Sequence, residues 1–217
     1  MTAIEPFREV FADVLRGQAF HVAGLHEEPV LLPAERWRAP ADAHDEAMLE
    51  LCDGPTLDVG CGPGRMSAAL AARGQVVLGI DIVEEAVTQT RRRGAPAVDC
   101  DVFTSVPAEG WWRTALLADG NVGIGGDPVT LLRRLKRVIE PAGRVVVGLE
   151  QPGTRTRAMW AELVSPGRRS KSFRWAVVGV DDIADMAAAA GLAVASVHSF
   201  GDRWCAVLNQ GRVGESW

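Results

Sequence analysis

The stretch Leu57-Asp58-Val59-Gly60-Cys61-Gly62-Pro63-Gly64-Arg65 constrains this chain more than any other. A short apolar strand ending at Gly60 runs into glycines at alternate positions. These let the backbone turn sharply and leave room for a ligand where any Cβ would collide. From Met66 the pattern Met66, Ala69, Leu70, Arg73 has helical spacing, so the first amides of that helix point back over the glycines with partial positive charge. An anionic group suits that place. A dinucleotide fingerprint wants glycine three residues after the second one; that position is Arg65, and the pattern is GxGxG.

Strands and helices alternate from Thr56 onward. Gln75 to Asp81 is a continuous apolar run of the kind buried on both faces of a parallel sheet. It closes in Asp81, where a carboxylate can accept two hydrogen bonds from the vicinal hydroxyls of a ribose or cap the helix that starts near Glu84. That helix ends in Arg91-Arg92-Arg93-Gly94, a helix-stop signal and a solvated terminus, not a nucleic-acid patch. Ala97 to Asp101 reads as a third strand, and Trp111 and Trp112 as a loop plugging the edge beside it. Thr114 to Asp119 reads as a fourth strand, leading into the glycine-rich stretch Ala118 to Pro128, a mobile or closely packed loop. Asp127 and Pro128 open a helix with an apolar face of Leu131, Leu132, Leu135, Val138 and Ile139. A fifth strand spans Arg144 to Glu150.

Regularity is lost between Gln151 and Arg174, where Arg155, Arg157, Arg168, Arg169, Lys171 and Arg174 face only Glu162. This basic insertion could meet an anionic substrate or could be a solvated loop. An alanine-rich helix then runs from Asp181 and Asp182 to Gly191. Leu192–Phe200 and Arg203–Leu208 make two strands joined by Gly201-Asp202, a two-residue hairpin turn. Parallel neighbours cannot be joined by two residues, so the last strand is antiparallel.

The 217 residues suffice for one well-filled α/β domain. No stretch approaches the roughly 20 apolar residues a membrane helix needs, and Glu5, Glu9 and Asp13 make the N-terminus too acidic for a signal peptide, so a cytoplasmic location is expected. Cys52, Cys61, Cys100 and Cys205 are scattered without a CxxC pair, which argues against zinc and against disulfides. A net charge of −5 gives no support for a nucleic-acid partner. Ahead of Thr56, Phe7, Val10, Phe11, Val14 and Leu15 predict an amphipathic helix ending near Gly17. Phe20 to Pro40 reads as an ordered loop, and Asp42 starts a second helix through Met48 and Leu51.

The motif Asp58-Val59-Gly60-Cys61-Gly62-Pro63-Gly64 resembles the first motif of class I S-adenosylmethionine (SAM) dependent methyltransferases, and the terminal hairpin resembles the antiparallel return of their sheet. The Ile139–Glu150 region is similar to the same family's helix, proline-glycine turn and strand. The resemblance spans Thr56 to Asn209 and implies an α/β, three-layer Rossmann-like fold with a seven-stranded, mostly parallel sheet and an antiparallel last strand. Residues 1–53 would form a helical extension or lid, and residues 54–217 the SAM-binding domain, with 151–174 inserted.

In this family the glycine turn holds the methionine moiety, implicating Asp58, Gly60, Cys61, Gly62, Gly64 and Arg65. Asp81 and Ile82 would take the ribose, and Asp101 with Val102 and Phe103 the adenine. Ala118, Asp119, Gly120 and Asn121 would lie beside the methyl group. A low-weight substrate set comprises His26, Trp37, Arg38, Ile124 and Glu150; of these His26 and Glu150, together with Asp119, are candidate bases.

Families that methylate exocyclic or side-chain amides usually carry Asn/Asp-Pro-Pro-aromatic where this chain has Asp119-Gly120-Asn121, and the chain has no tyrosine. A small-molecule O-, N- or C-acceptor is therefore expected, without a metal. The alternatives are a non-catalytic SAM-binding partner or sensor and, less favoured, an NAD-dependent oxidoreductase.

Overall fold

The computed structural model describes residues 3–25 and 28–210. In chain order, the N-terminal segment contains β1 (Ala3–Glu5), α1 (Phe7–Leu15), β2 (His21–Ala23), β3 (Val30–Leu31), α2 (Ala34–Arg38) and α3 (Ala43–Leu49). The central part follows as β4 (Thr56–Val59), α4 (Arg65–Ala72), β5 (Val77–Asp81), α5 (Glu84–Arg92), β6 (Ala97–Asp99) and β7 (Trp112–Leu117). A tight helical turn over Asn121–Gly126 leads to α6 (Pro128–Val138) and β8 (Ile139–Leu149). The chain then forms β9 (Arg157–Ser165), β10 (Arg168–Ser170), β11 (Phe173–Val177), α7 (Ile183–Ala190), β12 (Leu192–Phe200) and β13 (Arg203–Gln210).

Seven strands make the main sheet in the order β12-β13-β8-β7-β4-β5-β6. Every pairing from β8 to β6 is parallel, whereas β13 is antiparallel to both β8 and β12. Such a sheet needs cover on both faces. One side packs Leu57, Val59, Leu117, Val145 and Val147 against Leu131, Leu132 and Leu135 of α6 and Ile183 and Ala187 of α7. The other packs Leu116, Val146 and Val207 against Met48 and Leu49 of α3 and Met66 and Leu70 of α4. Asp42 caps α3, its side chain accepting from His44 N and Asp45 N while Asp45 returns a bond to Asp42 N. Asp127 caps α6 with Pro128 in the first position.

The departures from the sequence reading concentrate outside this sheet. Phe20–Pro40 is not a loop throughout: it contributes β2, β3 and α2. The basic segment 151–174 is not irregular either, since β9, β10 and the start of β11 lie within it. These two segments meet. Ala3–Glu5 pairs with Arg168–Ser170 in parallel, and β2 pairs with Leu163 and its neighbours on β9, giving a second small sheet. The N-terminal extension is thus helical and stranded together with the insertion. Its core is Val10, Val14, Phe20, Val22, Ala34, Ala161 and Leu163. Arg168 holds it at the edge through Glu5 and Asp13, at 2.8 and 2.9 Å, so this arginine is engaged with its own protein.

Smaller corrections follow from accessibility and pairing. Val76, read as part of a buried run, is 65% exposed and precedes β5. Trp112 is a buried strand residue, its indole N–H donating to Pro107 O at 2.8 Å, while Trp111 is exposed and plugs nothing. The third strand stops at Asp99, and Asp101 lies in the turn beyond it.

Candidate functional site

The glycine turn connects β4 to α4, and Gly60, Gly62 and Gly64 all have positive φ, of 71°, 53° and 85°. Their reasons differ. A Cβ at Gly60 would stand 2.8 Å from Asn121 Nδ2 and 3.1 Å from Ile124 Cδ1, and one at Gly64 would stand 2.7 Å from Thr90 Cα. At Gly62 it would meet nothing within 4 Å. The outer two glycines therefore admit other parts of the protein, and only the middle one faces open space. The expectation that all three glycines leave room for a ligand is not met at Gly60 and Gly64, where the protein's own atoms take the space.

Asp81 closes β5 beside this turn, its Oδ2 accepting from Gly62 N at 3.0 Å and its Oδ1 from Val83 N at 2.9 Å. Burial pushes its carboxyl up, and the amides of Val83 and Gly62 pull it back down. A carboxylate has about four lone-pair directions, so each oxygen keeps one for a further donor. Ile82, next along, packs against the cluster of Ala12, Leu15, Val83 and Ala86, as do Phe7 and Phe11 of α1.

Beneath the turn, Asp58 is fully enclosed and accepts from Ser67 Oγ at 2.6 Å. Burial raises its carboxyl to about 7, with the Ser67 bond opposing and the charges of Asp119 and Asp81 adding to the rise. Cys61 points into the protein as well: its Sγ lies 3.6 Å from Thr90 Oγ1, and burial raises its thiol. Asp58 and Cys61 shape the turn from below.

Asn121 is held by its amide, which donates to Val59 O and Gly60 O at 2.9 Å each. The glycine-rich stretch is closely packed, not mobile: a Cβ at Gly123 would strike Ala176 O, and one at Gly126 would stand 2.9 Å from Arg174 Cβ. Asp119 has positive φ, 51°, and its side chain pairs with Arg65 and, at 3.1 Å, with Arg36. Arg65 does not face the turn. Its guanidinium, 3% exposed, spans Asp45 of α3 and Asp119. Arg203 joins the cluster through Asp45 at 2.8 Å. This ion network, buried at Arg65 and Asp45, could not be read from the sequence because its five members, Arg36, Asp45, Arg65, Asp119 and Arg203, come from five separate elements and loops.

The remaining residues divide. Val102 is buried near β6, Asp101 accepts from Phe103 N at 2.9 Å, and the half-exposed Phe103 ring lies where a Cβ at Gly125 would touch it. Ala118 is buried and Gly120 has φ of 79° at the entry to the tight turn. Trp37 packs on Phe11 at a 5.9 Å centroid separation with the rings tilted by 42°. Arg38 reaches toward the end of α1, its Nη1 2.5 Å from where a Cβ at Gly17 would stand. Glu150 is exposed, with its backbone bridged to Gly179. His26 lies outside the described residues. Among the described residues no cluster of His, Cys, Asp and Glu could hold a metal ion.

Residues 56–143, from β4 through the turn into β8, match the family model of a methyltransferase domain. Over that stretch, less than half of its length, the chain is similar to methyltransferase domains. It is 32% identical over 127 residues to the ubiquinone biosynthesis O-methyltransferase of Bordetella parapertussis (58% of this chain, 48% of that protein) and 33% identical over 133 residues to that of Leptothrix cholodnii (60% and 52%). The chain spans about half the length of these curated relatives. The fold is similar to that of a SAM-dependent methyltransferase from Bacteroides fragilis solved with S-adenosylhomocysteine, with TM-score 0.77, 20% identity and coverage of 96% and 98% of the two chains. It is also similar to the Burkholderia thailandensis 1,6-didemethyltoxoflavin-N1-methyltransferase, with TM-score 0.57, 19% identity and 76% of both chains covered. α1 shares a cluster with Ile82 and Val83 just past β5, and Trp175 and Ala176 of β11 close on Gly123 after β7, so both lie toward the carboxyl ends of parallel strands, the place where open α/β sheets hold ligands.

Proposed function

We propose that this chain transfers the methyl group of SAM to a small-molecule acceptor and works without a metal. The observation that carries this reading is the Asp81 carboxylate fixed on the Gly62 amide, beside the one glycine of the turn that faces open space. Each part of the donor set suits a fragment of the cofactor. Asp81 offers a free lone pair per oxygen for two ribose hydroxyls, Gly62 allows close approach of an amino-acid tail, and Ile82 and Val102 offer apolar walls for an adenine. The likeness to proteins whose solved structures contain S-adenosylhomocysteine supports the same fit.

When bound, SAM supplies a methyl group already activated by a sulfonium centre. The protein's task is then alignment and exclusion of water. Asn121 ties the 121–126 turn to Gly60 so that the floor and one wall keep a fixed separation. Arg65 fixes Asp119 and Asp45, which locks α3 to the same place. The small sheet closes over the top. With both Asp119 oxygens facing guanidinium groups, this carboxylate positions rather than accepts protons.

No helix among the described residues is long and apolar enough to cross a membrane. A cytoplasmic place of action with no nucleic-acid partner belongs to the same proposal. The test is transfer of label from methyl-labelled SAM to a panel of hydroxylated and aminated small molecules, with calorimetry of S-adenosylhomocysteine and of NAD alongside. Binding of the former only, with label transferred, supports the reading. Binding of NAD only would replace it with oxidoreductase chemistry, and cofactor binding without any transfer would favour a sensor.

A further inference from the structure

The small sheet covers only one of its two faces. Inward point Val22, Ala161 and Leu163, packed in one cluster with Val10, Val14 and Phe20. Side chains alternate across a strand, so the residues between these point outward. The register carries one outward row across five strands: Ile4 of β1 lies opposite Arg169, Arg169 opposite Val164, Val164 opposite His21, and His21 opposite Leu31 of β3. A second row sets Glu162 beside Ala23, and a third sets Trp160 beside Arg174 of β11.

Ile4, Leu31 and Trp160 are 65%, 56% and 61% exposed on this face. With Val30 of β3 they are four of the eight large apolar side chains exposed among the described residues, so this exposure is gathered on one small sheet rather than scattered. Cations lie among them. Arg169 and Arg174 are exposed, and so is Lys171 in the link that joins their strands. The three rows carry one acid, Glu162, 3.5 Å from Arg169. Arg174 leans on Trp160, its guanidinium carbon 5.3 Å from the ring centroid. A chain of net charge −5 thus turns a cationic, partly apolar face outward.

The arrangement discriminates between partners. Protein interfaces have an apolar centre with charges at the rim, whereas here Arg169, His21 and Glu162 lie inside a frame set by Ile4 and Leu31 on the two edge strands. A second copy of the same face would set cations against cations. Nucleic-acid phosphates would engage the arginines and leave the two aliphatic side chains with nothing to bury against. An anionic bilayer surface uses both sets: aliphatic groups and an indole enter the headgroup region, and long cationic stems extend to the lipid phosphates. We propose that the outward face of the small sheet docks on an anionic lipid surface. Peripheral docking of this kind needs no spanning helix, and it stands independently of the methyltransferase reading.

Flotation of the full chain with vesicles of phosphatidylcholine alone, and of phosphatidylcholine mixed with phosphatidylglycerol, tests the proposal. Each cation beside an anionic leaflet strengthens binding about five-fold, so the mixed vesicles should be bound on the order of 100-fold more tightly. That preference should shrink as salt rises. Lys171→Gln combined with Arg174→Gln should weaken binding to the mixed vesicles by about 25-fold, and Ile4→Ser combined with Leu31→Ser should weaken it as well. Lipids brominated near the headgroup should quench tryptophan emission, with part of that quenching lost in Trp160→Phe. Thermal unfolding of each variant, expected to match the unaltered chain, separates loss of the docking face from loss of the fold. Binding to neither vesicle, equal binding to both, or a preference untouched by the paired charge variant or the paired apolar variant would overturn the proposal. Retention of an RNA oligomer, or a concentration-dependent dimer lost in the paired charge variant, in place of vesicle binding would overturn it too.

Discussion

Replacing Asp58 by asparagine should stabilise the protein, and more so as pH rises. The carboxyl is enclosed beneath the glycine turn with Ser67 Oγ as its hydrogen-bond donor, and its pKa is raised from 3.8 to about 7, chiefly by burial. The folded state therefore holds a proton that the unfolded chain releases at lower pH. Between these two values the folded state binds more protons, so stability falls with rising pH, and the full penalty is present above about 7. The whole span corresponds to about 4 kcal/mol at 1.36 kcal/mol per pKa unit, and the part between pH 5 and pH 8 to about 3 kcal/mol. Asparagine keeps an oxygen for Ser67 and removes the charge. Urea denaturation of both proteins at pH 5, 6, 7 and 8 measures the difference directly, since other titrating groups cancel. The variant's stability relative to the parent should improve by about 3 kcal/mol across that range, an order-of-magnitude figure. Parallel stability curves would show that Asp58 is ionised in the fold at neutral pH and would refute the argument.

Further outcomes follow from the same geometry. Gly64→Ala should lower the melting temperature sharply because its Cβ meets the Thr90 backbone, whereas Gly62→Ala should cost only about 1 kcal/mol for its positive φ yet weaken S-adenosylhomocysteine binding, as thermal unfolding and calorimetry together will show. Arg65→Leu removes the most buried cation of the network and leaves Asp119 with Arg36 alone and Asp45 with Arg36 and Arg203, so it should destabilise by about 1.5–3 kcal/mol in chemical denaturation. Arg65→Lys should not restore that loss, because one ammonium cannot reproduce a fork reaching two carboxylates.

The parallel sheet could be read in the sequence because its signals are local. Aliphatic runs such as Val77–Ile80, the Asp127-Pro128 helix start and the Gly201-Asp202 turn each report on a few neighbouring residues, and the structure has β5, α6 and the β12–β13 hairpin at those places. Asp81 was legible for the same reason, as a strand-end acid at a set distance from the turn. The second sheet was not, because β1 pairs with a strand beginning at Arg168 and β2 with residues 162–164, partners separated by most of the chain. Strands of two or three residues carry no periodicity to detect. The arginine-rich insertion misled in the same way: Arg168 looks like a free basic side chain until Glu5 and Asp13 are brought to it. Trp37 could be singled out from the sequence, but its contact with Phe11 of α1 exists only in three dimensions.

Calorimetric titration of S-adenosylhomocysteine into the unaltered chain and into Asp81→Ala tests the central claim most directly. Two hydrogen bonds from ribose hydroxyls to a charged carboxylate are worth roughly 1.5–3 kcal/mol each, so the substitution should weaken binding by at least about 100-fold. Circular dichroism of the variant is expected to match the parent. A folded Asp81→Ala protein that binds as tightly as the unaltered chain would mean that no ribose rests on this carboxylate, and the cofactor site drawn here would be wrong.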